Sequence, residues 1–282
     1  MKFYIVIPAH NEADVISDTL DSLISQTHLP TKLVIVNDHS SDATENIVSS
    51  YAQNHPWISL VNNQSEDLHL PGAKIINAFN KGLAQLDNNY DVICKFDADL
   101  IFPNNYLEEL SHQFQANKNL GMAAGFCYIK HGDQWVLENL TSKEHIRGAL
   151  KAYRKECFKA IGGLKSSMGW DTVDEMLALY YQWEVKTIEH LHIKHLKPTG
   201  ASYNKKAKHL QGEAMYKMRY GFIITTISAI KLALKKQKIS FFIDYIVGFL
   251  KASLNKTEPL VDKSQGKFIR QLRWKKMSEK LF

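Results

Sequence analysis

The sequence predicts an α/β fold, in which a mostly parallel central sheet is flanked by helices and followed by a basic, amphipathic helical tail. Short apolar runs rich in β-branched residues alternate with segments of helical period, and polar residues directly follow several of these runs. The charge also changes along the chain, because residues 201–282 carry 18 Lys and Arg against 5 Asp and Glu, whereas residues 1–200 carry 17 against 24. We therefore expect a domain over 1–205, with halves 1–100 and 101–205, and a tail over 206–282.

The first hundred residues predict four buried strands separated by three helices. The strands are predicted over FYIVIPA, TKLVIVND, ISLVNN and YDVICKFDADL. The helices are predicted over DVISDTLDSLISQT, SDATENIVSSYAQNH and PGAKIINAFNKGLAQL. This alternation is typical of a parallel sheet covered on both faces, where ligands bind outside the carboxyl ends of the strands.

Beyond residue 120 the spacing changes. GMAAGFCYIK and VKTIEHLHIKHLKPTG each predict a strand, residues 142–163 predict a helix closed by Gly162 and Gly163, and GWDTVDEMLALYYQW predicts another helix. After residue 210, the apolar segments YGFIITTISAIKLAL and ISFFIDYIVGFLKASL are flanked by lysines and are short for a bilayer span. They predict interfacial or re-entrant helices at a membrane.

The composition argues against several classes of protein. Three cysteines without paired spacing do not favour a disulfide framework or a cysteine zinc site, and we expect a reducing, intracellular setting. The chain opens on a strand pattern rather than on the apolar run and cleavage site of a signal peptide. The basic tail predicts an anionic partner. Because apolar segments accompany the lysines, we expect this partner to be a membrane surface rather than nucleic acid.

Polar groups follow three of the predicted strands, at the edge where ligands bind. They are His10, Asn11 and Glu12 after the first strand, Asn37, Asp38 and His39 after the second, and Asp97 and Asp99 after the fourth. In extended chain, Asp97 and Asp99 point to the same side, so together they can hold Mg²⁺ or Mn²⁺ through hard oxygen ligands. A cation held there would neutralise a diphosphate. Asp38 has an alternative role as the cap of the following helix.

The segments VIPAHNE, VNDHSSDAT and FDADL, in this order and spacing, resemble family 2 glycosyltransferases with the A-type, Rossmann-like fold (GT-A). The resemblance covers residues 3–100 strongly and continues to about residue 200. The segments GWDTVDE and HLKPTG resemble a bacterial branch of the family that acts in surface and exopolysaccharide pathways.

The resemblance implies a role for each matching residue. The nucleotide-sugar site would comprise Pro8, Ala9, Asn11 and Glu12 in the first loop, Asp38 at the base, Lys74 near the phosphates and Asp97 at the ribose or the metal. The Mn²⁺ or Mg²⁺ ligands would be Asp99 and His195, although a buried, hydrogen-bonded role for His195 is equally open.

The resemblance also implies a catalytic base at the start of a late helix. Counting back from Trp183 places Asp171 at the family's position for the base, and Asp174 lies on the same helix face at i+3. This register favours Asp171 as the base, with Asp174 as the alternative. The geometry decides between them, because a base must reach the proton that it removes.

These features predict an inverting glycosyltransferase that moves one sugar from a nucleotide-diphosphate donor to a glycan or lipid-linked acceptor. The donor that we favour is a UDP-sugar. Single transfer is expected because the Gln-x-x-Arg-Trp motif of processive synthases is absent. The tail would place the enzyme on the cytoplasmic face of the cell membrane.

One alternative is a nucleotidyltransferase, although PAHNEADV is not the Gly-rich, basic loop that it needs. Another is a catalytically inactive protein of this fold that binds membrane or nucleic acid.

Overall fold

The computed structural model describes residues 1–64, 72–138, 142–198 and 209–279. Its first half alternates strands and helices as predicted. The strands are β1 (Phe3–Ala9), β2 (Lys32–Asp38), β3 (Ile58–Asn63) and β4 (Val92–Phe96), and the helices are α1 (Ile16–Ile24), α2 (Thr44–Asn54) and α3 (Ala73–Leu83). The four strands pair in parallel in the order β3-β2-β1-β4, so the carboxyl ends of β1, β2 and β4 meet at one edge.

Close packing of α3 over the sheet fixes this half. Every residue of β1 is buried, as expected for a strand covered on both faces. A Cβ at Gly82 of α3 would lie 2.6 Å from Val6 Cγ1 and 2.7 Å from Val36 Cγ2. Glycine therefore lets α3 approach β1 and β2 more closely than any other residue would allow.

The second half extends the same sheet with mixed pairing. Its elements are β5 (Leu100–Ile101), α4 (Tyr106–Ala116), β6 (Leu120–His131), β7 (Gln134–Leu137), β8 (Leu150–Arg154), α5 (Lys155–Ala160), α6 (Trp170–Tyr180) and β9 (Glu184–His195). The order continues β4-β8-β6-β9-β5, and β7 forms a hairpin with β6. β8 runs antiparallel to β4 and β6, whereas β9 runs parallel to β6. The parallel character is thus concentrated in the first half.

The helix predicted over 142–163 is wrong for most of its length. Residues 150–154 form β8, and a helix occupies only Lys155–Ala160. All five residues of β8 are buried between β4 and β6, and the Arg154 side chain donates from Nε to the Leu120 carbonyl at 2.8 Å. Pairing in the sheet has overridden the helix preference of Leu, Lys, Ala and Arg.

The described part of the tail forms four helices, α7 (Leu210–Lys217), α8 (Phe222–Lys236), α9 (Ser240–Leu254) and α10 (Lys263–Ser278), of which α10 packs on α6. α7 crosses α9 at Gly212 and Gly248, where a Cβ would come within 1.9 Å and 2.0 Å of backbone oxygens. The Phe268 ring of α10 packs on Tyr180 of α6 at 5.5 Å. The predicted tail is therefore helical, and the predicted boundary between 205 and 206 lies outside the described residues.

Across the described ranges, every helix is too short or too polar to cross a bilayer.

Candidate active site

A cleft of about 250 Å³ opens at the carboxyl ends of β1, β2 and β4. Its lining includes seven of the residues expected to bind the donor or the metal: Pro8, Ala9, Glu12, Asp38, Lys74, Asp97 and Asp99. The first turn of α3 contributes Lys74 and Ile75, so a helix N-terminus also faces the cleft. Exposed backbone N–H groups and a lysine at such a terminus favour phosphate groups.

Asn11 does not line the cleft with these residues. Its backbone is left-handed, with φ 55°, and its Oδ1 accepts a hydrogen bond from the Ser41 backbone N–H at 2.8 Å. The Asn11 N–H in turn donates to Ser40 Oγ at 3.0 Å. Asn11 therefore joins the loop after β1 to the loop after β2 through hydrogen bonds to Ser40 and Ser41.

Asp38 is buried at the end of β2 and is not the cap of α2. The Asn63 side chain donates to Asp38 Oδ1 at 2.6 Å, while Asp42 accepts the Thr44 backbone N–H at 3.0 Å. Asp42 therefore binds a backbone N–H at the start of α2, and Asp38 does not. Asp38 remains oriented at the cleft, held by the neighbouring strand β3.

Asp97 is held by a buried lysine. Lys95, only 1% exposed within β4, forms an ion pair with Asp97, donates to the Gly148 carbonyl at 3.1 Å and lies 5.3 Å from the Trp170 ring. A buried ammonium is stable only with such partners. Lys95 therefore fixes the direction of the Asp97 carboxylate.

Asp99 and His195 meet because β5 pairs with β9. Leu100 is in register with His195, and the Leu196 N–H donates to the Asp99 carbonyl at 2.9 Å. His195 Nε2 lies 3.3 Å from Asp99 Oδ2, and its Nδ1 lies 2.9 Å from Glu138 Oε2. Burial lowers the pKa of His195, but the hydrogen bonds and charges of Asp99 and Glu138 outweigh it and raise the pKa to about 9.

The residues around His195 suit a hard divalent cation on the side of Asp99. Carboxylate oxygens with an imidazole nitrogen are ligands that Mn²⁺ and Mg²⁺ accept. A second cluster joins His195 to Cys127 and Glu138, whose potential ligand atoms lie within 4.8 Å of one another. Burial raises the pKa of the Cys127 thiol to about 12, and Arg147 lies 3.2 Å from Glu138, so this cluster is a poorer cation site.

Asp171 and Asp174 have different surroundings, although they share a helix face. Asp174 is 2% exposed, accepts from Lys151 Nζ at 3.0 Å and from the Tyr153 hydroxyl at 2.5 Å. Burial raises the pKa of Asp174, with the charge of Lys151 opposing. The Asp171 side chain is 36% exposed and borders Gly148, where a Cβ would lie 3.3 Å from Asp171 Oδ2. The Asp171 carboxylate is therefore accessible to solvent and lies beside Gly148, whose carbonyl binds Lys95.

Three residues of the site were not expected from the sequence. The sequence gives one indication of the role of Lys95, because a lysine inside an apolar strand requires a buried partner. Glu138 follows β7 and has no motif around it. Lys197 Nζ forms an ion pair with Glu12 at 2.6 Å, across the first loop of the cleft. Burial raises the pKa of Glu12, with Lys197 opposing and Asp99 and Asp97 adding to the rise.

Comparison with solved structures shows that the fold is shared with a mannosyltransferase and with a protein solved with a nucleotide sugar. Mannosyltransferase PcManGT from Pyrobaculum calidifontis, solved in complex with GDP-Man and Mn²⁺, aligns with TM-score 0.60 and 15% identity over 100% of this chain and 81% of that chain. S. aureus TarS 1-349, in complex with UDP-GlcNAc, aligns with TM-score 0.58 and 15% identity over 89% of this chain and 72% of that one.

Sequence comparison gives the family. A probable glycosyltransferase, YdaM of Bacillus subtilis (strain 168), is 36% identical over 100 residues, which are 35% of this chain and 23% of that protein. The chain thus matches about a quarter of the length of this curated relative. The model of the family Glycosyl transferase family 2 matches residues 4–163, which is more than half of the chain. The chain therefore belongs to glycosyl transferase family 2.

Proposed function

We propose that this protein is a metal-dependent, inverting glycosyltransferase that moves one sugar from a nucleotide-diphosphate donor to a hydroxyl acceptor. The observation that carries the proposal is the cleft at the carboxyl ends of β1, β2 and β4, where Asp97 and Asp99 face Lys74 and the start of α3. Membership of family 2 supports this class of reaction. We keep a UDP-linked donor as the first candidate, since TarS was solved with UDP-GlcNAc, and a GDP-linked donor as the second, since PcManGT was solved with GDP-Man.

On the donor side, Asp38 would bind the base and Asp97 the ribose, with Lys95 fixing the direction of Asp97. Lys74 and the N–H groups at the start of α3 would bind the phosphates. Asp99 and His195 would hold the divalent cation, Mn²⁺ or Mg²⁺, with Glu138 orienting the imidazole through Nδ1. Such a cation stabilises the negative charge of a leaving diphosphate.

On the acceptor side, Asp171 would accept the proton of the attacking hydroxyl. Its carboxylate is accessible, whereas that of Asp174 is buried and already bound by Lys151 and Tyr153. Attack from the face opposite the diphosphate inverts the anomeric centre, because one displacement occurs without a covalent intermediate. Asp174 would instead hold Lys151 and the start of α6 in place.

We also propose that the enzyme acts at the inner face of the cell membrane on a glycan or lipid-linked acceptor. The excess of lysine and arginine after residue 201 supports attraction to an anionic surface. A catalytically inactive binder of the same fold is the rival, and it would bind no nucleotide sugar in a cation-dependent manner.

The first test is binding and hydrolysis of a panel of UDP- and GDP-linked sugars, with and without Mn²⁺ or Mg²⁺. We expect one donor to bind only with the cation, and Asp99→Asn to abolish this binding. The matched control is Asp133→Asn, which changes an exposed aspartate in the turn between β6 and β7. The anomeric configuration of the released sugar, followed by NMR, tests inversion. If wild type binds no nucleotide sugar under any condition, the proposed function is wrong.

A further inference from the structure

Two helices of the tail expose rows of large aliphatic side chains. On α8 these are Ile223, Ile227, Ile230 and Leu234, which are 64%, 38%, 46% and 73% exposed. On α9 and the residue before it they are Ile239, Ile243, Leu250 and Leu254, which are 70%, 51%, 44% and 81% exposed. We call these eight residues the aliphatic rows. A soluble surface normally carries such residues singly.

The spacing makes each row continuous. Residues at i, i+4, i+7 and i+11 of a helix lie within an arc of about 60° at 3.6 residues per turn. α8 follows this spacing from Ile223 to Leu234, and α9 follows it from Ile243 to Leu254 with Val247 half-buried between. Each helix thus carries one apolar line along its whole length.

The opposite face of each helix packs on the protein. On α8, Ile224, Ala229 and Ala233 are buried, and on α9, Gly248, Phe249 and Ala252 are buried. The Phe222 and Phe249 rings pack at 5.8 Å, so α8 and α9 form one antiparallel pair. Among the residues that the structure describes, none covers the aliphatic rows, whereas the opposite faces of both helices are buried.

Lysines flank the rows. Lys231, Lys235, Lys236, Lys238 and Lys251 are exposed on or between the two helices, against the single acidic residue Asp244. A helix with an apolar line and lysines beside it binds at the boundary between headgroups and acyl chains, where apolar burial and attraction to anionic lipid act together. Each helix has 15 residues, a length suited to lying in the surface.

We propose that the α8–α9 pair is a docking surface for an anionic lipid bilayer, into which the aliphatic rows insert. The inference deepens the proposed membrane location and rests on it, but it uses no residue of the cleft. A symmetric dimer through the same face fits less well, because it would bring two sets of lysines together at an interface whose centre normally excludes charge. A bilayer of anionic lipids would bury the aliphatic rows among its acyl chains and pair the lysines with its headgroups.

The test is sedimentation of the full chain with vesicles of phosphatidylcholine alone and of phosphatidylcholine with about one fifth phosphatidylglycerol. We expect binding to the anionic vesicles to be at least tenfold tighter than to the neutral ones, and to weaken with salt. The double variant Ile230→Gln with Leu234→Gln should bind the anionic vesicles at least tenfold more weakly. Lys235→Glu with Lys236→Glu should remove the preference for anionic lipid. All these positions are exposed, so the melting temperature should not change.

The matched control is Leu29→Gln, which changes a 51% exposed leucine outside the tail and should leave vesicle binding unchanged. The proposal is overturned if wild type stays in the supernatant, or if Ile230→Gln with Leu234→Gln binds vesicles as wild type does. It is also overturned if light scattering shows a dimer that this double variant abolishes, since a second copy then covers the rows. Cation-dependent donor binding, measured without vesicles, should be the same in all variants, which separates this test from that of the proposed function.

Discussion

Glu138→Gln should weaken cation binding although Glu138 does not line the cleft. The Glu138 side chain is 2% exposed, and its carboxylate accepts the Nδ1 proton of His195 at 2.9 Å. When a cation displaces the proton from Nε2, which faces Asp99, this contact keeps the remaining proton on Nδ1, so the Nε2 lone pair can bind the cation. A glutamine amide can instead donate to Nδ1, which moves the proton to Nε2 and blocks the ligand. Changes of this kind around a metal-binding histidine cost about 10- to 100-fold in affinity, or about 1.4–2.7 kcal/mol.

The assay is titration of Mn²⁺ with the donor nucleotide present, followed by electron paramagnetic resonance of the free ion. Glu109→Gln is the matched control, because the half-buried Glu109 of α4 pairs at 3.4 Å with His190, an exposed histidine of β9, the strand that also carries His195. We expect the control to bind Mn²⁺ as wild type does. Equal Mn²⁺ affinity in Glu138→Gln and wild type would refute the orientation of His195 by Glu138.

Three further predictions follow from other parts of the structure. Asp171→Asn should lower kcat by about 10²- to 10⁴-fold with donor Kd unchanged, and a wild-type kcat would exclude Asp171 as the base. Gly82→Ala should destabilise the fold by about 1–2 kcal/mol in urea unfolding, because its Cβ would contact Val6 and Val36, and a stabilised variant would contradict this packing. Hydrogen bonds from Lys32 and Tyr4 lower the pKa of Asp87, so Asp87→Asn should lower Tm at pH 7. This Tm difference should shrink below about pH 4, where an unfolded aspartate is protonated, and a constant difference would argue against the ion pair.

The pattern of apolar residues in the sequence predicts the strands that are covered on both faces. The runs that form β1, β2 and β4 are apolar on both faces, so only a covered strand accommodates them. The residues of β8 carry no such pattern, because Lys151 and Arg154 are buried by ion-pair and carbonyl partners that lie far away in the sequence. Their environment exists only after the sheet has formed.

The same contrast applies to the candidate site. The acids that follow β1, β2 and β4 could be predicted to share one edge, since parallel strands place their carboxyl ends together. The choice between Asp171 and Asp174 could not be made from their spacing, because i and i+3 lie on one helix face. Burial against Lys151 and Tyr153 separates them, and both partners come from β8, the strand that the sequence does not reveal.

The ion pair between Lys197 and Glu12 has a consequence for selectivity. Lys197 follows β9 and Glu12 follows β1, so the contact joins two loops that are far apart in the sequence, at the first loop of the cleft. A ligand that carries its own negative charge can pair with Lys197 when this partly exposed ion pair opens, whereas an uncharged sugar cannot. We therefore expect Lys197 to favour a sugar that carries phosphate over a free sugar beside Glu12, which lines the cleft.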